Sequence, residues 1–528
     1  MPQTGRSEEQ SSLLINALMQ ADLYEHPVSH IQLIETHISW VILTGYFVYK
    51  IKKPLDLGFL DFSSLEKRRF YCAEEVRLNR PLAPDIYLQV VPITGTVKQP
   101  GWAGKGKAIE YAVKMVQFPQ QAQLDRMLGL GELNAFHLDA FARLIADFHQ
   151  GIKHTDGATE YGDLKHVIRP VKENFSHLRE QITDKTLCNL LDSLQNWCDK
   201  SITRLQPVFE QRKQAGFIRE CHGDMHLRNM DWVNNRPVLF DCIEFNPNLR
   251  WIDVISDIAF LVMDLHKGKQ YRLAQGLLNN YLEYTGDYSG VSLLPFYLVY
   301  RALVRAKVEA IRAGQSDIEP EEQAEAEQAL HEYLLLADSY THKHQLRLMV
   351  THGFSACGKT TISRQLSERL GAVRIRSDVE RKRLFGLQAQ ENGQAAINQD
   401  IYSTQAGQKT YDQLAELAEQ VLAGGFSVFI DAACLKLEQR DRLQTLADAN
   451  NIAYVILDIT ASKDTLRQRI EQRSQNSTKD ASDADLTVLE HQFISAQKLT
   501  QKEEPYTIGI DTEKPLELDK VIQKIEAF

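Results

Sequence analysis

Eight residues, Gly353-Phe-Ser355-Ala356-Cys357-Gly358-Lys359-Thr360, have the types and the spacing that hold a chain of phosphates. They fit G-x-x-x-x-G-K-[ST], follow the apolar run LRLMVTH and precede the helical TTISRQLSERL, which is the strand-to-helix context the pattern needs. The glycines let backbone N–H groups from Ser355 to Thr361 turn inward around a β-phosphate. Lys359 then reaches the β- and γ-phosphates, and the Thr360 hydroxyl ligates Mg2+, all at a helix N-terminus. The cofactors this chemistry calls for are ATP and Mg2+.

A second constellation lies upstream. His222-Gly-Asp224-Met-His226-Leu-Arg-Asn229, followed by Asp241 in VLFDCIEF, sets Asp, Asn and Asp at offsets 0, +5 and +17. This spacing resembles the catalytic loop and metal-binding Asp of eukaryotic-like kinases, in the HGDxHxxN form of aminoglycoside and choline phosphotransferases. The resemblance implies that Asp224 orients or deprotonates a hydroxyl, while Asn229 and Asp241 hold Mg2+ against the ATP phosphates. It also implies a strand lysine on the α- and β-phosphates, paired with a helix acid. Lys50, ending FVYK, is the candidate, with Lys52 on the same strand face; its partner is Glu74 or Glu75, and either could equally be a solvated helix residue. YAVKMVQFP is then the hinge strand whose backbone reads adenine. Only Gly45 precedes Lys50 where protein kinases carry a Gly-rich loop, and Asp-Phe-Gly and Ala-Pro-Glu are absent, so small hydroxylated molecules are favoured over protein acceptors.

Residues 346–528 resemble the small P-loop kinases that include polynucleotide 5′-kinases, zeta-toxin-like kinases and gluconate-kinase-like enzymes. On Arg376-Ser-Asp378-Val-Glu-Arg381 the resemblance implies that Asp378 accepts the proton of the acceptor hydroxyl and that Arg381 steadies substrate or Asp378. The other reading of Asp378 is an N-cap for VERKRLFG. In LRQRIEQR it implies an arginine-bearing lid with Arg469 and Arg473, against a solvated helix face that includes Glu471. Asp431, ending SVFID, reads as a magnesium partner or a substrate contact. Asp253 and Asp257 could stabilise the catalytic loop, bind a cationic acceptor or cap a helix. His149, in ADFHQG, reads as a helix-end residue without a role.

The elements that must position these groups follow from periodicity. Residues 30–120 are strand-like with one charged helical stretch, LEKRRFYCAEEVRLN; 124–214 and 257–336 are helical; a loop and β-ribbon lie between the helical runs. Beyond a boundary near His344, LMVTHG, AVRIRS, SVFIDA and AYVILDI alternate with helices in the rhythm of a parallel sheet. The polar QNSTKDASDAD reads as a mobile loop. The expected domains are 1–340, a two-lobed protein-kinase-like α+β fold, and 346–528, an α/β P-loop NTPase with a parallel sheet. The joined arrangement resembles a bacterial two-domain family with an aminoglycoside-phosphotransferase-like half and a P-loop kinase half.

The chain has 528 residues, too many for one core, and its 43% hydrophobic and 25% charged residues are those of a water-soluble protein. No apolar run spans a membrane, and MPQTGRSEEQSSLL lacks signal-peptide features, so the expected compartment is the cytoplasm. The seven scattered cysteines form no Cys-x-x-Cys pair, against structural zinc or a disulfide framework. A net charge of -10 repels polyanions and disfavours nucleic acid as a partner. The function expected is a bifunctional ATP-dependent phosphotransferase acting on hydroxyl groups of small molecules at two ATP sites. The alternatives are one active kinase half regulated by a non-catalytic ATP-binding half, or a nucleic-acid end kinase.

Overall fold

The computed structural model describes residues 8–58, 60–315, 318–387, 404–475 and 485–528. It divides into two compact units, Met1–Glu173 with Ile202–Asp264, and Asn174–Ser201 with Leu265–Phe528. Among the described residues no helix is long and apolar enough to cross a membrane. The stretch 476–484, most of the expected mobile loop, lies outside the described residues.

The first unit opens on a six-stranded antiparallel sheet of β1 (Gln32–Glu35), β2 (Ser39–Leu43), β3 (Phe47–Lys52), β4 (Tyr87–Gly95), β5 (Pro100–Trp102) and β6 (Glu110–Val116), in the order β1-β2-β3-β6-β4-β5. Alternation along β3 sends Lys50 and Lys52 to the same face. That face receives the Leu65–Asn79 helix, which starts at Ser64, whose Oγ accepts from Lys67 N. The helix sits on the sheet through Cys72 and Val76, packed with Tyr87 and Val113. Further on, β7 (Ile218–Glu220) leads into the His222–Asn229 loop, and β8 (Met230–Val233) and β9 (Arg236–Leu239) form the expected ribbon. Its turn residues Asn234 and Asn235 both have positive φ, 51° and 58°, the geometry that a two-residue hairpin turn requires and Asn tolerates. The strand β10 (Trp251–Asp253) pairs with β7 and runs into the Val254–Lys267 helix.

The second unit is built on a five-stranded parallel sheet of β11 (Arg347–His352), β12 (Val373–Arg376), β13 (Val428–Asp431), β14 (Ala453–Thr460) and β15 (Thr507–Asp511), in the order β12-β13-β11-β14-β15. This is the P-loop NTPase fold, with the phosphate-binding strand β11 in the centre. Four strands match the apolar runs read from sequence; β15 was not anticipated, because TIGID is short and bounded by charge. Met349, Phe429, Val455 and Leu457 on the strands and Ile362 and Leu366 on the Lys359–Leu370 helix form its core.

The division between units does not follow the boundary near His344. Helices Tyr271–Thr285, Leu294–Ala313 and Pro320–Ser339 belong to the same unit as the parallel sheet. Gln275 Nε2 donates to Ala372 O at 3.0 Å, and Asn279 accepts from Arg374 N at 3.1 Å and donates to Ala372 O at 3.2 Å. These backbone groups belong to β12 and the residue before it, on the open edge of the sheet, so side chains spaced four apart on one helix face occupy part of an edge that would otherwise invite strand pairing, and Tyr288 Oη donates to Arg374 O at 3.5 Å beside them. In the sequence, nothing about Gln275, Asn279 and Glu283 distinguishes this helix face from a solvated one.

A chain of residues 265–528 is therefore expected to unfold cooperatively as a monomer, whereas 346–528 melts several degrees lower or self-associates through β12. Thermal melting and size-exclusion chromatography of the two chains check this, and identical melting and elution would contradict the edge-covering role.

Candidate active sites

In the first unit the carboxylate of Glu75 has no exposed surface and takes two ammonium groups, Lys50 at 2.9 Å and Lys52 at 2.7 Å. Lys50 also donates to Asp241 at 2.6 Å, and Lys52, buried over the Phe62 ring, also pairs with Glu244. Burial works to raise the Glu75 carboxyl, but Lys50 and Lys52 overcome it and hold the group at about 2. Burial works to lower the Lys50 ammonium, and Asp241 and Glu75 outweigh it, keeping Lys50 well above its usual range. The strand lysine that reaches both the helix acid and the metal-ligand candidate is thus Lys50. The expectation of Glu74 as its partner is corrected: Glu74 is one residue, or 100°, further round the helix, where it pairs with Arg77 at 2.8 Å and Arg250 at 3.5 Å.

The loop carrying Asp224 is held from behind. Asp257, at the start of the Val254–Lys267 helix, accepts from His222 N at 2.9 Å and Gly223 N at 3.0 Å, and His149 Nε2 lies 3.2 Å from the same carboxylate. Of the readings open for Asp257, loop stabilisation is the one its contacts fit, and His149 joins it. Asp253 takes Arg212 at 2.7 and 2.9 Å and, directly before the Val254–Lys267 helix, accepts from Ile255 N at 2.9 Å, the capping contact among its readings. Burial keeps His222 below its usual range and therefore neutral; its Nε2–H donates to Phe240 O at 2.8 Å, leaving Nδ1 to accept from Asp224 N at 3.3 Å. Asn229 Nδ2 donates to Asp224 O at 3.0 Å and Oδ2 at 3.1 Å, and Phe240 N donates to Asn229 O at 3.1 Å, so the ribbon holds Asn229 beside the loop. Asp241, with φ of +64°, directs its N–H to Tyr87 Oη at 3.2 Å, and its carboxylate remains 44% exposed next to Lys50.

In the second unit the loop after β11 wraps as an anion cradle requires. A Cβ at Gly353 would lie 2.3 Å from Ile459 O, so only glycine fits, and Gly358 enters the helix at φ +97°. Lys359 Nζ donates to Phe354 O at 2.7 Å, and Ser355 N donates to Gln492 Oε1 at 2.8 Å. Burial pushes the Cys357 thiol up, partly offset by Lys359, which leaves it a packing residue. A cavity of about 1050 Å³ is lined by Lys359, Thr360, Asp378, Arg381, Arg469 and Arg473 together, with Ser355, Ala356, Gly358, Thr361 and Asp431. Asp378 is not an N-cap: the Ser377–Leu384 helix begins after Arg376, and Asp378 sits in its first turn, 3.3 Å from Arg381. The arginines of LRQRIEQR divide. Arg467 pairs with Glu490 on the outside, whereas Arg469 donates to Ala356 O at 3.3 Å and Thr512 Oγ1 at 3.0 Å.

These residues fit a magnesium nucleotide. Asp431 is buried, lines the cavity and has an Oδ2 that accepts no hydrogen bond among the described residues, with Arg376 Nε 3.8 Å away, a hard oxygen donor beside the P-loop. Asp224, Asn229 and Asp241 offer oxygen donors of the same kind. Sequence reasoning missed Glu244, Gln492 and Thr512, none of which has a spacing signature.

The AAA domain family matches residues 348–499. Uncharacterized protein Rv2004c of Mycobacterium tuberculosis is 30% identical over 452 residues, covering 85% of this chain and 88% of that protein, and Mb2027c of Mycobacterium bovis matches to the same extent. Among solved structures the chain is similar to amicoumacin kinase hAmiN in complex with AMP-PNP, Ca2+ and Ami, at 13% identity and a TM-score of 0.39, over 62% of this chain and 93% of that one. It is also similar to a gluconokinase from Sinorhizobium meliloti, at 18% identity and a TM-score of 0.24, over 35% of this chain and 92% of that one.

Glu75→Gln leaves two buried ammonium groups short of a charge and is expected to cost about 3 kcal/mol of stability, whereas Glu74→Gln, at a partly exposed pair, should cost less than about 1 kcal/mol. Denaturant unfolding of both variants measures the difference, and equal losses would contradict the assignment of Glu75.

Proposed function

This chain belongs to the family of the mycobacterial proteins it matches, a two-domain family joining an aminoglycoside-phosphotransferase-like half to a P-loop kinase half, and from that premise we propose a bifunctional ATP-dependent phosphotransferase. Each half, read as 1–340 and 346–528, has its own ATP site, and each acts on a hydroxyl of a small molecule. One observation carries the proposal. In the second unit a carboxylate, cations and oxygen donors line the one Lys359 cavity, and in the first Lys50 pairs with Asp241 while Asn229 pairs with Asp224 on the preceding loop.

In the first unit Asp224 takes the proton of the acceptor hydroxyl. Asn229 and His226, whose Nε2 is 3.3 Å from Asp224 Oδ2, keep that carboxylate directed. Lys50, aligned by Glu75, binds the α- and β-phosphates, and Asn229 and Asp241 would hold Mg2+. In the second, backbone N–H groups of the P-loop and Lys359 bind the phosphates, Thr360 holds the cation, and Asp378 takes the proton. Arg469 and Arg473 offset charge developing on the phosphoryl group as its bond to the leaving oxygen breaks and the bond to the acceptor oxygen forms. Mg2+ at either site would neutralise phosphate charge; Asp431 serves as its partner or as an acceptor contact.

Two single substitutions separate the halves. Asp224→Asn should remove one phosphoryl transfer by at least about 100-fold, and Lys359→Ala the other, each leaving the second transfer intact. An acceptor screen with labelled ATP on the wild-type and the two variant chains reads this out. Wild-type-like transfer in either variant, or calorimetric binding of one nucleotide per chain, would refute two separate sites.

A further inference from the structure

The residues that bind the helix of Asp378 to its place come from outside the P-loop core. Arg376 ends β12, and the Ser377–Leu384 helix starts at the next residue with no side-chain cap, so the backbone direction at Arg376 sets where Asp378 points. The Arg376 guanidinium is held by Glu283 at 2.8 Å, with Asp431 Oδ2 3.8 Å from its Nε. The second oxygen of Glu283 takes Arg374 at 3.1 Å. One carboxylate of the Tyr271–Thr285 helix thus engages two guanidinium groups, and the side chains of Glu283, Arg374 and Arg376 are only 12%, 4% and 12% exposed.

The same segment grips the far end of the helix. Asp378 and Arg381, three residues apart, line the cavity; Glu380 and Arg383, also three apart, lie about 200° round and turn away from it. Arg383 pairs with Glu380 and donates to the backbone carbonyl of Glu283. Gly286, with φ of +74°, leaves room for this, because a Cβ there would lie 2.8 Å from Arg383 Nε. Glu283 therefore touches the residue before the helix with its side chain and the last turn with its backbone.

We propose that Glu283 is a positioning residue for phosphoryl transfer at the P-loop site, holding Arg376 and the Ser377–Leu384 helix so that the Asp378 carboxylate faces the acceptor. The proposal rests on the reading of Asp378 as the group that accepts the proton. Glu283 itself does not line the cavity, so nucleotide binding by the Lys359 loop should not depend on it.

The test uses the full chain carrying Asp224→Asn, so that turnover reports the P-loop site, with water as the acceptor: ATP hydrolysis is followed beside the affinity for a fluorescent ADP analogue, taken as the part of its binding that Lys359→Ala removes. Glu283→Gln keeps length and hydrogen bonding but removes the charge, and is expected to lower kcat about tenfold while KM for ATP and ADP affinity stay within about twofold. Glu283→Asp should recover part of the rate. Added to Asp378→Asn, Glu283→Gln should change the rate by less than about twofold, because both act through one carboxylate. If the Gln variant does not fold, as judged by circular dichroism and thermal melting, the Asp variant is carried through the same comparisons. Unchanged kcat, a loss of ADP affinity as large as the loss of kcat, or full additivity with Asp378→Asn would overturn the proposal. Hydrolysis that is absent, or that Lys359→Ala or Asp378→Asn leaves intact, would instead overturn the reading of the P-loop site, and the proposal with it.

Discussion

A carboxylate without exposed surface between two ammonium groups is the interaction on which the chemistry proposed for the first unit depends. A lone ion in the interior is too costly to keep, so Glu75 remains ionised only because Lys50 and Lys52 converge on it, and they stay charged because Glu75, Asp241 and Glu244 face them. The arrangement ties a strand of the sheet to the helix beside it and to the segment after the ribbon. Local geometry at Asp241, including its positive φ, is affordable because the network over-determines it.

The second unit uses the same arrangement, one carboxylate between two cations. Arg374 and Arg376 lie at the edge of a parallel sheet and would be buried cations without Glu283, just as the edge itself would be unpaired backbone without Gln275 and Asn279. One helix face of three polar residues meets both needs. In each unit, then, buried acids and bases join an element of fixed geometry to the loop or helix that carries the carboxylate proposed to take the acceptor proton. Neither carboxylate is itself deeply buried: the side chains of Asp224 and Asp378 are both 36% exposed, open to an acceptor.

The motifs were legible because they are local. The phosphate loop needs Gly353, Gly358, Lys359 and Thr360 at fixed offsets on one strand-to-helix turn, and the catalytic loop needs Asp224, Asn229 and Asp241 on one loop and ribbon; chain connectivity alone brings such residues together. The sheet and helix elements were legible for a similar reason, since the periods of 2 and 3.6 are properties of the backbone. Adjacent residues were harder. Glu74 and Glu75 differ only by 100° of helix rotation, and the choice between them depends on which face meets β3, a long-range fact.

What the sequence determined by itself was the two local motifs that hold the candidate groups, the strands and helices that bear them, and the kinase class they point to. What only the tertiary structure decided was pairing across distance: Glu75 with both lysines, Asp257 and His149 behind the catalytic loop, Arg469 on the P-loop, and the Tyr271–Thr285 helix against β12 rather than with the elements before it. The physical reason is that a polar stripe such as Gln275, Asn279 and Glu283 is the same string of letters whether it faces water or the edge of a sheet. Only the packed chain supplies the donors, acceptors and opposite charges that turn a solvated face into an interface.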